Sequence, residues 1–249
     1  MSLYRCDLHI HSCLSPCGDD DMTPGNIVGM ALLNGLHIVA LTDHNSVKNC
    51  PAFFQIAKRH GIIPVAGMEL TTAEDVHAVC LFRTLDAAMD FGDFVESRRV
   101  RVKNHPDIFG RQWIVDENDE ICGEEEHLLI NAVNVSLDEA FAEVLKRGGV
   151  CYPAHIDRSA NGIISMLGDF PPDPHFTAFE LHDVTSLEGC LERFPILTQR
   201  GLRHVASSDA HYLTDIAEEG FAVELADEPY SSDRVRDSLI NHLLGKTEF

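Results

Sequence analysis

Positive charge is scarce in this sequence. Its 249 residues carry 19 lysines and arginines against 40 aspartates and glutamates, a formal net charge of −21. Nucleic-acid binding rests on basic side chains that neutralise phosphates, so this balance argues against a long nucleic acid as the partner. Long apolar runs are missing too: no stretch approaches the ~20 residues of a membrane span. No apolar leader precedes the first strand pattern, so a cytoplasmic protein without a membrane partner is expected. The Walker A loop and the G-x-S-x-G nucleophile elbow are both absent. The eight cysteines (Cys6, Cys13, Cys17, Cys50, Cys80, Cys122, Cys151 and Cys190) are scattered, several of them inside apolar runs. Buried reduced thiols are the expectation. Cys13 and Cys17 lack a partner pair of zinc-ribbon spacing.

What is present is an alternation of strand and helix patterns. Leu3 to Ile10 reads as a first buried strand, in which residues two apart share a face, so Asp7, His9 and His11 are expected to point together. A loop with the acidic run Asp19-Asp20-Asp21 follows. Thr23 then caps a helix with Pro24 at its first position, closed by Gly35. The spacing goes on to predict strand His37–Leu41, a helix near Ala52–His60, and strand Ile62–Ala66 running into Gly67-Met68-Glu69. Strand Val76–Phe82, which carries His77, and helix Leu85–Arg99 complete this half. Between Arg101 and Asn134 the alternation breaks. Gln112–Val115, a turn at Glu117-Asn118-Asp119 and Glu120–Gly123 read as an inserted hairpin, either a lid over the site or a decorative excursion.

Ser136 and Glu139 then form a capping box for a helix ending at Gly148-Gly149. Strand Val150–Ala154, helix Ile163–Leu167, strand Thr177–His182, helix Leu187–Gln199 and strand Arg203–Ser207 follow, then an edge strand Phe221–Leu225 and a terminal helix Ser231–Leu244. Short apolar strands alternating with helices predict an α/β fold built on a parallel sheet or barrel. No repeat or linker divides it, so one domain over residues 1–249 is expected.

The polar residues of interest fall at or just past strand ends, where α/β barrels place their active sites. They are His9, His11, Asp43, His44, Glu69, His155, Asp209 and His211, with His77 early in its strand and Asp19 in a loop. Imidazoles and carboxylates without thiolate are the donor set of hydrolytic metal sites. There are more donors than one ion needs, which suits two or three ions with Glu69 bridging a pair. Asp7 and Asp43 precede candidate ligands and are expected to orient imidazoles. Arg158, just past His155, is expected to clamp a phosphate bidentately, with a surface salt bridge as the alternative. His182 is expected to be a hydrogen-bonded histidine of the barrel.

In chain order, Asp7-Leu8-His9-Ile10-His11-Ser12, Leu41-Thr42-Asp43-His44-Asn45, Gly67-Met68-Glu69, Pro153-Ala154-His155 and Ser207-Ser208-Asp209-Ala210-His211 resemble the motifs of the polymerase and histidinol phosphatase (PHP) superfamily. The resemblance covers most of the chain apart from the insertion. It implies a distorted (β/α)7 TIM-like barrel with three divalent ions (zinc, manganese or iron) at its C-terminal mouth. One ion would take His9, His11, Glu69 and Asp209. A second would share Glu69 and take His77 and His155. The third would take His44, His211 and an acid of the 19–21 run, Asp19 first and Asp20 next. The activity implied is hydrolysis of a small phosphate monoester by a metal-bridging hydroxide, with Glu69, Asp209 and Arg158 as the catalytic residues. The alternatives are a phosphodiesterase or exonuclease-like hydrolase acting on short nucleotides or nucleoside bisphosphates, and a non-enzymatic metal-binding regulatory domain.

Overall fold

A computed structural model describes residues 1–218 and 220–246; the last three residues of the expected domain, 247–249, lie outside the described residues. The chain begins with β1 (Ser2–Asp7), α1 (Pro24–Leu33), β2 (Ile38–Leu41), α2 (Cys50–His60), β3 (Ile63–Thr71), β4 (His77–Phe82) and α3 (Leu85–Glu96). The insertion carries α4 (Pro106–Phe109), β5 (Trp113–Val115) and β6 (Ile121–Glu124). Then come α5 (Leu137–Lys146), β7 (Val150–Pro153), α6 (Ile163–Leu167), β8 (Ala178–Leu181), α7 (Leu187–Arg193), α8 (Pro195–Gln199), β9 (Arg203–Ala206), β10 (Phe221–Leu225) and α9 (Ser232–Leu243).

Six strands form one mixed sheet in the order β10-β1-β2-β3-β4-β7, and β8 and β9 form a separate parallel pair. Main-chain bonds tie that pair to both sides of the sheet: the Ile156 amide donates to the Glu180 carbonyl at 2.9 Å, and the His11 amide to the Ala210 carbonyl at 3.0 Å. This is a curled α/β sheet, less regular than the alternating parallel barrel read from the sequence. The departure is β4, which runs antiparallel to both β3 and β7. Its cause is length. Only residues 72–76 separate β3 from β4, and a parallel crossover needs a dozen residues or more, so the two strands must make a hairpin. That reversal carries β3 on to Thr71, paired with His77, and turns the N-terminal end of β4, with His77, toward the same end of the sheet as Glu69.

Side-chain alternation builds two cores. Ile38, Ala40, Val79, Leu81, Val150 and Tyr152 face one side and meet Val235, Leu239, Ile240 and Leu243 of α9. Val39, Leu41, Ala78, Cys80, Phe82 and Cys151 face the other and meet helices such as α2 through Phe53 and α3 through Phe91. Thr23 caps α1 by accepting from the Asn26 amide at 3.3 Å, with Pro24 at the helix start. The single helix expected over Leu187–Gln199 is split in two. Pro195 pushes the preceding Phe194 out of helical geometry (φ −122°, ψ 76°). All eight cysteines are free, and six of them are buried. No described helix is long and apolar enough to cross a membrane.

The insertion is a bulged β5–β6 hairpin, and it is anchored to the first part of the chain. The Trp113 amide donates to the Cys13 carbonyl at 2.9 Å, and the Trp113 indole to Asp20 at 3.1 Å. Asp119 accepts from the Thr23 hydroxyl at 2.9 Å and the Gly25 amide at 3.0 Å. The hairpin is therefore strapped to the loop after β1 and to the start of α1.

Candidate metal centre

Glu69, 1% exposed, stands in the middle of five imidazoles. Its Oε1 lies 2.7 Å from His77 Nδ1, 3.0 Å from His155 Nε2 and 3.4 Å from His9 Nε2. Its Oε2 lies 3.0 Å from His44 Nδ1 and 3.2 Å from His11 Nε2. Asp209 Oδ1 faces the same centre, 3.4 Å from His9 Nε2 and 3.3 Å from His11 Nε2. The His211 ring stacks on His11 with centroids 4.2 Å apart. Three sets of donor atoms are close enough to hold an ion: His9, His11, Glu69 and Asp209; His11, His44 and His211; and His44, Glu69 and His77. His155 at φ +26° and Asp209 at φ +51° hold positive backbone angles, a strain that persists where the surroundings over-determine it.

The hydrogen bonds around these rings assign their tautomers. His9 Nδ1 donates to Glu180, 3.0 Å from Oε1, which leaves Nε2 a bare lone pair. The Ser15 hydroxyl donates to Asp43 Oδ1 at 2.7 Å, so it accepts from His11 Nδ1 at 2.9 Å, and His11 Nε2 is bare too. His211 Nδ1 donates to the Asp209 carbonyl at 2.7 Å, freeing its Nε2. Yet His9 Nε2 and His11 Nε2 lie 3.2 Å apart, with carboxylates beside them. Lone pairs and carboxylates at that spacing repel unless a proton or a cation stands between them. His44 Nδ1 and His77 Nδ1 approach Glu69 without hydrogen-bond geometry, and His155 Nδ1 has no hydrogen-bond partner among the described residues. Buried polar atoms left this way are costly. Bound divalent ions fit this donor set and satisfy its lone pairs.

Without ions, protons do that work. Burial pushes His9 down, but Glu180, Glu69 and Asp209 outweigh it and hold its pKa well above the ordinary value. Burial opposes a charge on His11 too, yet hydrogen bonds to Asp209 and Glu69 hold it up at about 9. Burial alone would raise Glu69, but the charges of His77, His9 and His44 bring its pKa well below the ordinary range. Burial and the charge on His11 lower His211 to about 4, and burial lowers His44 as well.

Of the residues singled out in the sequence, His9, His11, His44, Glu69, His77, His155, Asp209 and His211 come together here. Asp19 does not join the three donor sets. Its amide donates to the His211 carbonyl at 2.9 Å, and its Oδ1 accepts from the Asp21 amide at 2.9 Å. Asp20 is turned toward Trp113. Arg158 Nη1 lies 2.6 Å from Asp209 Oδ2 with 43% of its side chain exposed. His182, expected as a hydrogen-bonded histidine of the barrel, is exposed and lines a 740 Å³ cavity with His77, His155 and Arg158. Asp7 also differs from expectation. Its carboxylate accepts from the Ser208 and Ala217 amides, both at 3.1 Å, and from the His9 amide at 3.5 Å, so it braces the loop that carries Asp209. Asp43 acts on His11 through Ser15. The sequence reading missed Glu180, which is 1% exposed and accepts from both His9 Nδ1 and the His155 amide. Its signal was there: one acid between Phe179 and Leu181 in a buried strand.

Known proteins are similar to this chain in sequence and in fold. Residues 7–147 match the model of the PHP domain family. Among curated proteins, the PolC-type DNA polymerase III of Thermotoga petrophila is 36% identical over 92 residues, 36% of this chain and 7% of the polymerase. An uncharacterised protein of Methanocaldococcus jannaschii is 33% identical over 78 residues, 28% of this chain and 46% of that protein. The chain thus spans a small part of the length of the polymerases that it matches. Among solved structures, a protein assigned as a metal-dependent phosphoesterase from Bifidobacterium adolescentis has a TM-score of 0.56 at 18% identity, over 83% of this chain and 87% of that one. The lesion-specific endonuclease Q of Pyrococcus furiosus has a TM-score of 0.58 at 18% identity, over 97% of this chain and 56% of that one. An amidohydrolase from Chromobacterium violaceum, solved with bound sulfate, has a TM-score of 0.54 at 20% identity, over 89% of this chain and 92% of that one. These three structural neighbours are hydrolases by description, and at such identities they speak for the fold. The family match spans more than half of the 249 residues, and the chain belongs to the PHP domain family.

Proposed function

We propose that the chain is a metal-dependent hydrolase that cleaves a small phosphate monoester at the Glu69 centre. The observation that carries this reading is the convergence of bare imidazole nitrogens and two carboxylates on one buried point beside an exposed arginine. Three ions of zinc, manganese or iron suit the number and kind of donors. His9, His11, Glu69 and Asp209 would hold one, and Glu69, His77 and His155 the second. His44 and His211 would hold the third, completed by Asp19, whose amide already binds the His211 carbonyl.

Bound divalent ions supply Lewis acidity toward phosphoryl oxygens and acidify coordinated water. The chain's own residues do the rest. Glu180 and Ser15 hold His9 and His11 in the tautomers that aim Nε2 inward. Asp209 fixes Arg158 at the cavity wall, where the rest of its guanidinium fork can take phosphate oxygens bidentately. The free thiols suit a reducing, cytoplasmic setting. The tie points of the β8–β9 pair to β7 and to the segment after β1 support reading the sheet as a distorted (β/α)7 barrel, one domain over the described chain.

The likeness to endonuclease Q supports a second reading, a phosphodiesterase acting on nucleic acid. The charge of −21 favours the small substrate. The test is turnover of p-nitrophenyl phosphate, its bis-ester and an oligonucleotide by protein reconstituted with manganese, zinc or iron. Faster cleavage of the monoester supports the proposal. Faster cleavage of the diester or the oligonucleotide replaces it with the second reading. Turnover of none, with metal bound, leaves a non-catalytic metal-binding domain.

A further inference from the structure

A second chamber opens beside the metal cavity. It measures 620 Å³ and lies among α6, α7 and the segment after β7, within the ~300–1,000 Å³ typical of small-molecule sites. Its apolar lining is Ile156, Ile164, Cys190 and Phe194; Ile156 and Cys190 are buried. Asp157, Arg158, Ser159 and Ser186 line both this chamber and the metal cavity, so the two adjoin across these residues. The shared wall is braced, because the Asp157 carboxylate accepts from the His182 and Asp183 amides at 2.8 and 2.9 Å. At the outer edge the Arg193 guanidinium lies 5.2 Å from the Phe194 ring centroid. The charged side chains here are Asp157, Arg158 and Arg193, a net positive set in a strongly acidic chain.

We propose that this chamber receives the organic part of the phosphate ester, and that it selects a ring-sized apolar alcohol over a short alkyl one. The inference rests on the phosphoesterase reading and deepens it. Arg158 lines both cavities, so a phosphate that it holds can direct its alcohol toward the apolar chamber. There the ring is removed from water against Ile164 and Phe194.

Gly189 gives a clean test. It lines the chamber, and a Cβ built on it meets nothing within 4 Å, so a larger side chain enters open space. Gly189 lies inside α7, where replacing glycine favours the helix. The experiment compares kcat/KM for 2-naphthyl phosphate and ethyl phosphate in wild type, Gly189→Ala and Gly189→Phe, with the melting temperature of each as a check on folding. Wild type should prefer the naphthyl ester, and Gly189→Phe should lower that preference about ten-fold or more, with Gly189→Ala in between. A preference that Gly189→Phe leaves unchanged would overturn the inference. A calorimetric titration of metal-loaded protein with 2-naphthylmethylphosphonate, which is not hydrolysed, reads the chamber without turnover. If no ester is cleaved, yet this probe binds and Gly189→Phe weakens it ten-fold, the chamber assignment stands and the phosphoesterase reading falls. If the probe binds wild type and the Phe variant equally, or neither, the chamber assignment is wrong.

Discussion

Stripping the ions should make this protein's stability fall as pH rises. In the metal-free state His11 is fully buried and holds its proton up to about 9 against an ordinary value of 6.5. A proton bound more tightly in the folded than in the unfolded chain stabilises the fold. That contribution is complete below about pH 6.5 and gone above about 9. A shift of that size corresponds to about 3 kcal/mol, and His9, also raised, acts in the same direction. His211 and His44 are shifted the opposite way; what they contribute grows as pH rises toward 6.5 and is flat above it. Glu69 and Asp209, both lowered, act only in acid. Between pH 6.5 and 7.5, about a unit below the ordinary thiol value, the raised imidazoles therefore set the slope. At ~2–4 °C per kcal/mol for a chain of this size, the melting temperature should drop by roughly 6–12 °C over the full transition. The assay is thermal unfolding by circular dichroism of chelator-treated protein across that window, beside metal-loaded protein. Ions demand neutral imidazoles, so the loaded protein should lack the decline. A flat or rising melting temperature in the metal-free protein would refute the proposed proton-for-ion exchange at His9 and His11.

Other perturbations separate the roles. Glu180→Gln keeps the shape but removes the charge behind His9 Nδ1; metal affinity should fall about 10–100-fold, read by competition with a chromogenic chelator, while the fold persists. Arg158→Ala should raise KM for a phosphate ester by about ten-fold or more, the equivalent of ~1.5–3 kcal/mol for a charged hydrogen bond, with metal content by elemental analysis unchanged. Asp119→Ala removes the acceptor for the Thr23 hydroxyl and the Gly25 amide; unfolding in urea should show a loss of about 1 kcal/mol, with turnover kept, because this part of the insertion braces α1.

Much of the centre could be read from the chain because strand ends carry its donors at short, fixed spacing. His9 and His11 are two apart, and Asp209 and His211 repeat that spacing, so each pair stands out in the chain. What was hidden depends on long-range pairing. Glu180 lies 171 residues from His9, and nothing in its local sequence names that partner. Asp7 was expected to follow the alternation of His9 and His11, but β1 ends at Asp7, and past the strand the period of two no longer applies. The antiparallel course of β4 could have been inferred from its short connection to β3. The strapping of the insertion rests on contacts such as Asp20 with Trp113, which no pattern of residue types specifies.

The most direct test of the metal centre is anomalous diffraction from crystals grown with manganese or zinc, collected at the metal's absorption edge. Peaks should stand among His9, His11, Glu69 and Asp209, and beside His77 and His155, with a third near His44 and His211. An electron density map with those side chains ordered and no anomalous signal among them would contradict the account.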